Sequence, residues 1–333
     1  MNNGLLGFIL ASALFQLSSC ETGPGPGTEG NTLIDKQLLE LHTALERSPR
    51  DEGLYLKRGD YYLEKEAYGE AIQDYTRAWQ IDSSRPEALF RLSDAYLAYF
   101  QSYDALQILE EAASRFPRSA ETFRKLAKMQ LILRQYEGGF RSLEKARTLG
   151  EGKPQTAFLT GMFFKETGDT ARAINSFQEA IEGDPDLEDA WIILGNLQES
   201  RGHKIAARYY ESALQRNPAN VRALQAKGSL LARQGKLEEA LSVFREMMRF
   251  DSQNEAAHFN AGLVLMDMDS IREAFTQFDQ TRIINPLNVE AQYYAGLCAE
   301  ILGESGKAEK YYQNALRLAP DYADARAGLR RLR

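Results

Sequence analysis

Glycines recur through this chain at a fixed interval: Gly161, Gly195, Gly228, Gly262 and Gly296 are spaced by 34, 33, 34 and 34 residues, and Gly59 falls in the same series. Two further registers run in step. One is Ala71, Ala105, Gly139, Ala173, Ala206, Ala240, Ala274 and Ala308; the other is Ala78, Ala112, Ala146, Ala180, Ala213, Met247, Thr281 and Ala315. Such a period constrains the fold more than any single motif, because each repeat is one supersecondary piece that buries its apolar face only against its neighbours. A chain of 333 residues, which would otherwise imply two domains, can then run on as one array. The registers count to eight repeats, starting at Glu52, Pro86, Ala120, Pro154, Glu188, Val221, Glu255 and Val289. The fifth is one residue short in its Gly202-His203-Lys204 turn.

The fifth repeat, EDAWIILGNLQESRGHKIAARYYESALQRNPAN, places Trp191, Leu194 and Gly195 in a first helix and Ala206, Tyr210, Ala213 and Pro218 in and after a second. Each of these residues has a packing reason. Small Gly and Ala let two helices approach, aromatic rings fill the space between them, and Pro stops the second helix. In these residues the chain resembles the tetratricopeptide-repeat family over residues 52–322. The resemblance implies an all-α fold, a right-handed superhelical solenoid of helix-turn-helix repeats, and it names no chemistry.

Repeat three departs most from the pattern. Gly138 and Gly139 stand where helix formers are expected and no Pro closes it, which predicts a weak or bent second helix. Both ends of the array read as capped, as a solenoid requires. Residues 323–333, ADARAGLRRLR, read as a closing helix whose Arg330, Arg331 and Arg333 suit the negative end of its dipole. Residues 32–51 read as a degenerate half-repeat, with Ala44 and Pro49 in register with Ala78 and Ser83.

The first twenty residues, MNNGLLGFILASALFQLSSC, carry no charged side chain, and the apolar run Leu5 to Leu17 has the length of a signal-peptide core rather than of a spanning helix. Leu17-Ser18-Ser19-Cys20 resembles the lipobox of bacterial lipoproteins, although no Lys or Arg precedes the apolar core. The resemblance implies cleavage of residues 1–19 as a signal peptide and acylation of Cys20, with palmitate among the attached chains. Two or more chains hold a protein to a membrane where one holds only marginally. The alternatives are plain secretion, with Cys20 incidental, and a buried or cytosolic N-terminus. Residues 20–31 combine Gly, Pro and polar residues with nothing to bury, the composition of a tether. In enterobacterial lipoproteins an Asp after the cysteine retains the protein at the inner membrane. Glu21 stands there, so the sorting is open and the outer membrane is the expected side of the cell envelope.

A net charge of -7, from 47 acidic and 40 basic residues, argues against nucleic acid as a partner. His42, His203 and His258 are too scattered for a metal site, and Cys20 and Cys298 do not make a disulfide framework. No catalytic grouping or cofactor motif rises from the chain, so neither an enzyme nor a cofactor is expected. Cys298 and His258 read as packing residues.

In this family function lies on the concave face lined by the first helices. The fifth position of each repeat is left free by the signature and reads Leu56, Phe90, Arg124, Phe158, Ile192, Gln225, Phe259 and Tyr293, with Met162, Leu263 and Leu297 one turn on. The expected protein-binding groove is therefore lined by Phe90, Phe158, Met162, Ile192, Phe259, Leu263, Tyr293 and Leu297. Such a stripe is also the commonest way to build core. Arg124, Lys125 and Lys128 approach the family's carboxylate clamp without completing it. The resulting expectation is a lipid-anchored scaffold that holds partner polypeptides and organises an envelope complex. A glycan- or peptidoglycan-associated accessory of an envelope enzyme is the alternative.

Overall fold

The computed structural model describes residues 29–332, and among them are eighteen helices and no strand. Cys20 and the segment before it lie outside the described residues. Helix α1 (Glu29–Arg47) is followed by helix pairs: α2 (Glu52–Glu64) with α3 (Tyr68–Ile81), α4 (Glu87–Ala98) with α5 (Ser102–Arg115), α6 (Ala120–Ile132) with α7 (Tyr136–Leu149), and α8 (Lys153–Glu166) with α9 (Thr170–Gly183). The series continues with α10 (Glu188–Ser200) and α11 (Ala206–Arg216), α12 (Val221–Arg233) and α13 (Leu237–Phe250), α14 (Glu255–Asp267) and α15 (Ile271–Ile284), α16 (Val289–Ile301) and α17 (Ser305–Leu318), then α18 (Ala323–Arg331). The chain divides into two compact units, Met1–Ala105 and Leu106–Arg333, the boundary falling inside α5.

In six of the eight hairpins a glycine of the first helix faces an aromatic ring of the second, the exceptions being Ser93 in repeat two and Ala127 in repeat three. A Cβ on Gly59 would stand 2.5 Å from the Tyr75 ring; on Gly195, 2.3 Å from Tyr210; on Gly262, 2.7 Å from Phe278. Rings of this size bury without voids only if the opposing helix presents no side chain at that place. Tyr75, Tyr210 and Phe278 are fully buried as a result.

Helix starts are set by capping. The side chains of Asn220, Asn254 and Asn288 accept the backbone N–H of Ala223, Ala257 and Ala291, satisfying donors that the first turn leaves free. Asn285 and Asn288 also donate to Glu255, as Asn217 and Asn220 do to Glu188, so in repeats five and seven the end of the repeat is tied to its own beginning.

The expectation of a weak second helix in repeat three is not met, for α7 runs unbroken from Tyr136 to Leu149. Gly139 is there because the Phe163 ring of α8 packs onto it, 2.1 Å from where a Cβ would sit. The missing Pro is replaced by Gly150 and Gly152, both at positive φ, and Arg124 Nη1 donates to the carbonyl of Glu151 at 2.7 Å to close the loop.

Candidate protein-binding site

In the second unit the first helices meet one another, α6 with α8, α10 with α12 and α12 with α14, while each second helix packs against the first helix of the next repeat. No second helix meets another to that extent among the described residues. The row of first helices is therefore the closely spaced side of this unit, and its free positions form the candidate surface.

Two of the eight expected groove residues are closed off within their own units. Ile192 is 2% exposed and shares a buried cluster with Ala213 and Ala223, and Phe90 is 3% exposed. Neither is open to a partner, which corrects the reading of both as groove residues. For Ile192 the reason is geometric: its side chain leaves α10 toward α12, where the next repeat covers it.

The other six are half-buried. Phe158 stands edge-on to the buried Phe177 ring at 5.6 Å and, with Met162, borders the core of repeats four and five. Phe259 and Leu263 on α14 border the core of repeats six to eight together with Tyr294 on α16. The Phe259 ring lies 5.8 Å from Tyr294 and 5.6 Å from Phe278. Tyr293 touches Tyr294 at 5.1 Å and Tyr312 at 5.9 Å, and Leu297 follows it one turn on. The apolar surface is thus one strip on α14 and α16, while the Phe158–Met162 patch on α8 borders a different core cluster.

Sequence reasoning missed the polar clusters on these same helices. The Tyr210 hydroxyl donates to Asn196 at 2.7 Å and Glu199 at 2.8 Å, and Arg233 from the next repeat pairs with Glu199. Tyr312 donates to Glu300, which Arg331 of α18 grips with Nε at 2.7 Å and Nη2 at 2.8 Å. Tyr75 donates to Asp60 at 2.8 Å, with Arg91 Nε 3.5 Å away. Burial, then the hydrogen bond to a carboxylate, raises all three phenols well above their usual range, so they stay protonated donors. The signal was available: these are the repeats whose closing ring is Tyr rather than Phe, with an acid on the first helix.

Cys298 is fully buried, and burial pushes its thiol up to about 12, which keeps it protonated and unreactive near neutral pH. His258 is held by Gln277 at 2.8 Å and the Ser252 carbonyl at 3.2 Å. No helix among the described residues is long and apolar enough to cross a membrane.

Among curated relatives, human protein O-mannosyl-transferase TMTC1 is 30% identical over 193 residues, 56% of this chain and 21% of that protein. Hsp70-Hsp90 organizing protein 3 of Arabidopsis thaliana is 19% identical over 263 residues, 75% of this chain and 46% of that protein. The chain thus matches about a fifth to just under half of the length of these relatives. Among solved structures, the C-terminal part of a TPR repeat-containing protein from Cytophaga hutchinsonii superposes with a TM-score of 0.58 at 16% identity, covering 72% of this chain and 99% of that one. Pseudomonas aeruginosa pilF gives a TM-score of 0.55 at 15% identity, covering 64% and 97%. At such identities the structures speak for the fold alone. Proteins of this fold act in general as scaffolds that bind other proteins or peptides rather than as catalysts, although one relative here is named a transferase. Models of the tetratricopeptide repeat match residues 62–129, 196–255 and 259–329, more than half of the sequence, and the chain belongs to that family.

Proposed function

We propose that this chain is a non-catalytic adaptor that holds a segment of a partner protein against the strip formed by Phe259, Leu263, Tyr293 and Leu297, and that it does so from a lipid anchor on Cys20 in the bacterial cell envelope, at the outer membrane. The observation that carries the binding reading is the strip itself: four half-buried apolar side chains, on two first helices joined by ring contacts. Half-burial fixes the rotamers before binding, so a partner loses less entropy in docking than on a mobile surface. A peptide or helix fits better than a glycan. Sugar stacking needs free ring faces, and Tyr294 is stacked on Phe278 at 5.1 Å while Phe259 and Tyr293 abut neighbouring rings. The acidic balance of the chain speaks against nucleic acid. The anchor reading rests on Leu17-Ser18-Ser19-Cys20 and on the Gly- and Pro-rich residues that follow.

A photo-crosslinking residue at 297, in intact cells, tests the site. It should give a discrete protein adduct that Leu263→Gln abolishes while the chain keeps its helical circular dichroism, and the same probe at exposed Lys310 on α17 should give none. No adduct from 297, or equal adducts from both places, would overturn the proposed site.

A further inference from the structure

The turn between α4 and α5 carries an aromatic patch that the adaptor reading does not use. Phe100 is 91% exposed, Tyr103 69% and Tyr99 49%, and the Tyr68 ring at the start of α3 lies 5.7 Å from that of Tyr99. Phe100 is also held at φ +62, in the left-handed region. In the same place of their turns other repeats have Gly168, Gly202, Gly235 and Gly303, or the charged Glu66, Arg134 and Asp269. A bulky side chain in this conformation costs backbone strain, and an exposed ring costs solubility. Neither folding nor solvation accounts for a phenylalanine there.

Helix α1, which follows Cys20 in sequence, starts on this same side of the first unit. Gln37 of α1 lines one cleft with Glu64 at the end of α2, and His42 Nε2 meets the Tyr62 hydroxyl at 3.2 Å, so α1 runs antiparallel to α2. From Gln37 back to Glu29 the helix extends about 12 Å further, past the end of α2 on the side of the α2–α3 turn, where the Tyr68 and Tyr99 rings meet. Cys20 lies nine residues before Glu29. Nine residues reach at most about 30 Å when fully extended.

We propose that the α4–α5 turn inserts Tyr99, Phe100 and Tyr103 into the interfacial layer of the membrane that holds the chain. The proposal rests on acylation of Cys20, which would place a lipid surface within reach of this edge. Rings with an apolar body and, in tyrosine, a polar tip partition into that layer. The flanking charges, Lys65, Glu66, Glu70 and Asp104, are acidic on balance. Ring insertion rather than attraction to anionic headgroups therefore holds the turn, and salt should not release it.

The test is the full acylated chain carrying Phe100→Trp, on phosphatidylethanolamine–phosphatidylglycerol vesicles with and without brominated acyl chains, read against the wild-type background of Trp79 and Trp191. The added emission should shift to the blue and lose most of its intensity to the bromolipid, at low and high salt alike. Cys20→Ser is the anchor control and should stop the chain floating with the vesicles. An acylated chain that floats while residue 100 stays unquenched refutes the insertion and leaves the anchor standing. A blue shift without quenching refutes it too and means that a second copy of the chain covers the turn. A wild-type chain that does not float refutes the anchor, and the insertion with it.

Discussion

Repeats three and seven solve the same packing problem in different places. In repeat seven the pair is internal to the hairpin, Gly262 of α14 against Phe278 of α15. In repeat three Ala127 stands at the glycine's place and Leu143 at the ring's, and the pair reappears between hairpins, as Gly139 of α7 against Phe163 of α8. A ring buried between two helices needs a helix without a side chain opposite it, and either partner of the next interface can supply it. Tyr312 does both at once, lying against Gly296 within its hairpin and Gly328 on the following helix.

The largest effect tests whether the two pairs are equivalent. Phe163 and Phe278 are each 0% exposed, and Phe163→Ala and Phe278→Ala should each cost about 3–5 kcal/mol in chemical denaturation. A small loss at Phe163 with a large one at Phe278 would break the comparison.

A smaller effect sharpens it. Gly139→Ala should cost about 1–3 kcal/mol through overpacking on the Phe163 ring, while Gly69→Ala, with nothing within 4 Å of the new Cβ, should be neutral or stabilising. Adding Phe163→Leu to Gly139→Ala should recover part of the loss, since the two residues are in contact and their effects do not add. Strict additivity in that cycle would mean that Gly139 acts through helix propensity alone.

The smallest effect concerns the ring with a polar handle. The Arg331 guanidinium, and then the Tyr312 hydroxyl, hold the Glu300 carboxyl below its ordinary 4.5, against the opposing effect of burial. A depressed folded-state value means that the contribution is present above 4.5 and is lost as pH falls through the lower folded value. Hydrogen exchange should show α18 losing protection relative to α14 as pH falls through that acid window, and Glu300→Gln should remove this pH dependence and leave α18 at its acid-state protection throughout.

The glycine and alanine registers were legible because they are packing requirements repeated at a fixed spacing, and they led to an all-α repeat fold and to the helix faces. Much of the candidate site was not legible. The fifth-position pattern grouped Ile192 with Phe259, yet Ile192 is buried while Phe259 stays half-open. The difference depends on what the next first helix brings opposite. Ile192 shares a buried cluster with Ala223 of α12, whereas Phe259 stands edge-on to the Tyr294 ring of α16. The tyrosine–acid pairs were displayed within single repeats, but the arginine that completes each cluster comes from the following repeat or from α18, so the full clusters escaped notice.

By itself the sequence determined the period, the helix-pair repeat and the family, since local spacing governs which residues share a helix face. Only the tertiary structure decided that Gly139 serves a ring on the following helix, that Ile192 and Phe90 are core, and that Phe100 is presented to solvent in a left-handed turn. Each of these depends on how one helix crosses the next, which is set by the summed packing of many side chains rather than by spacing along the chain.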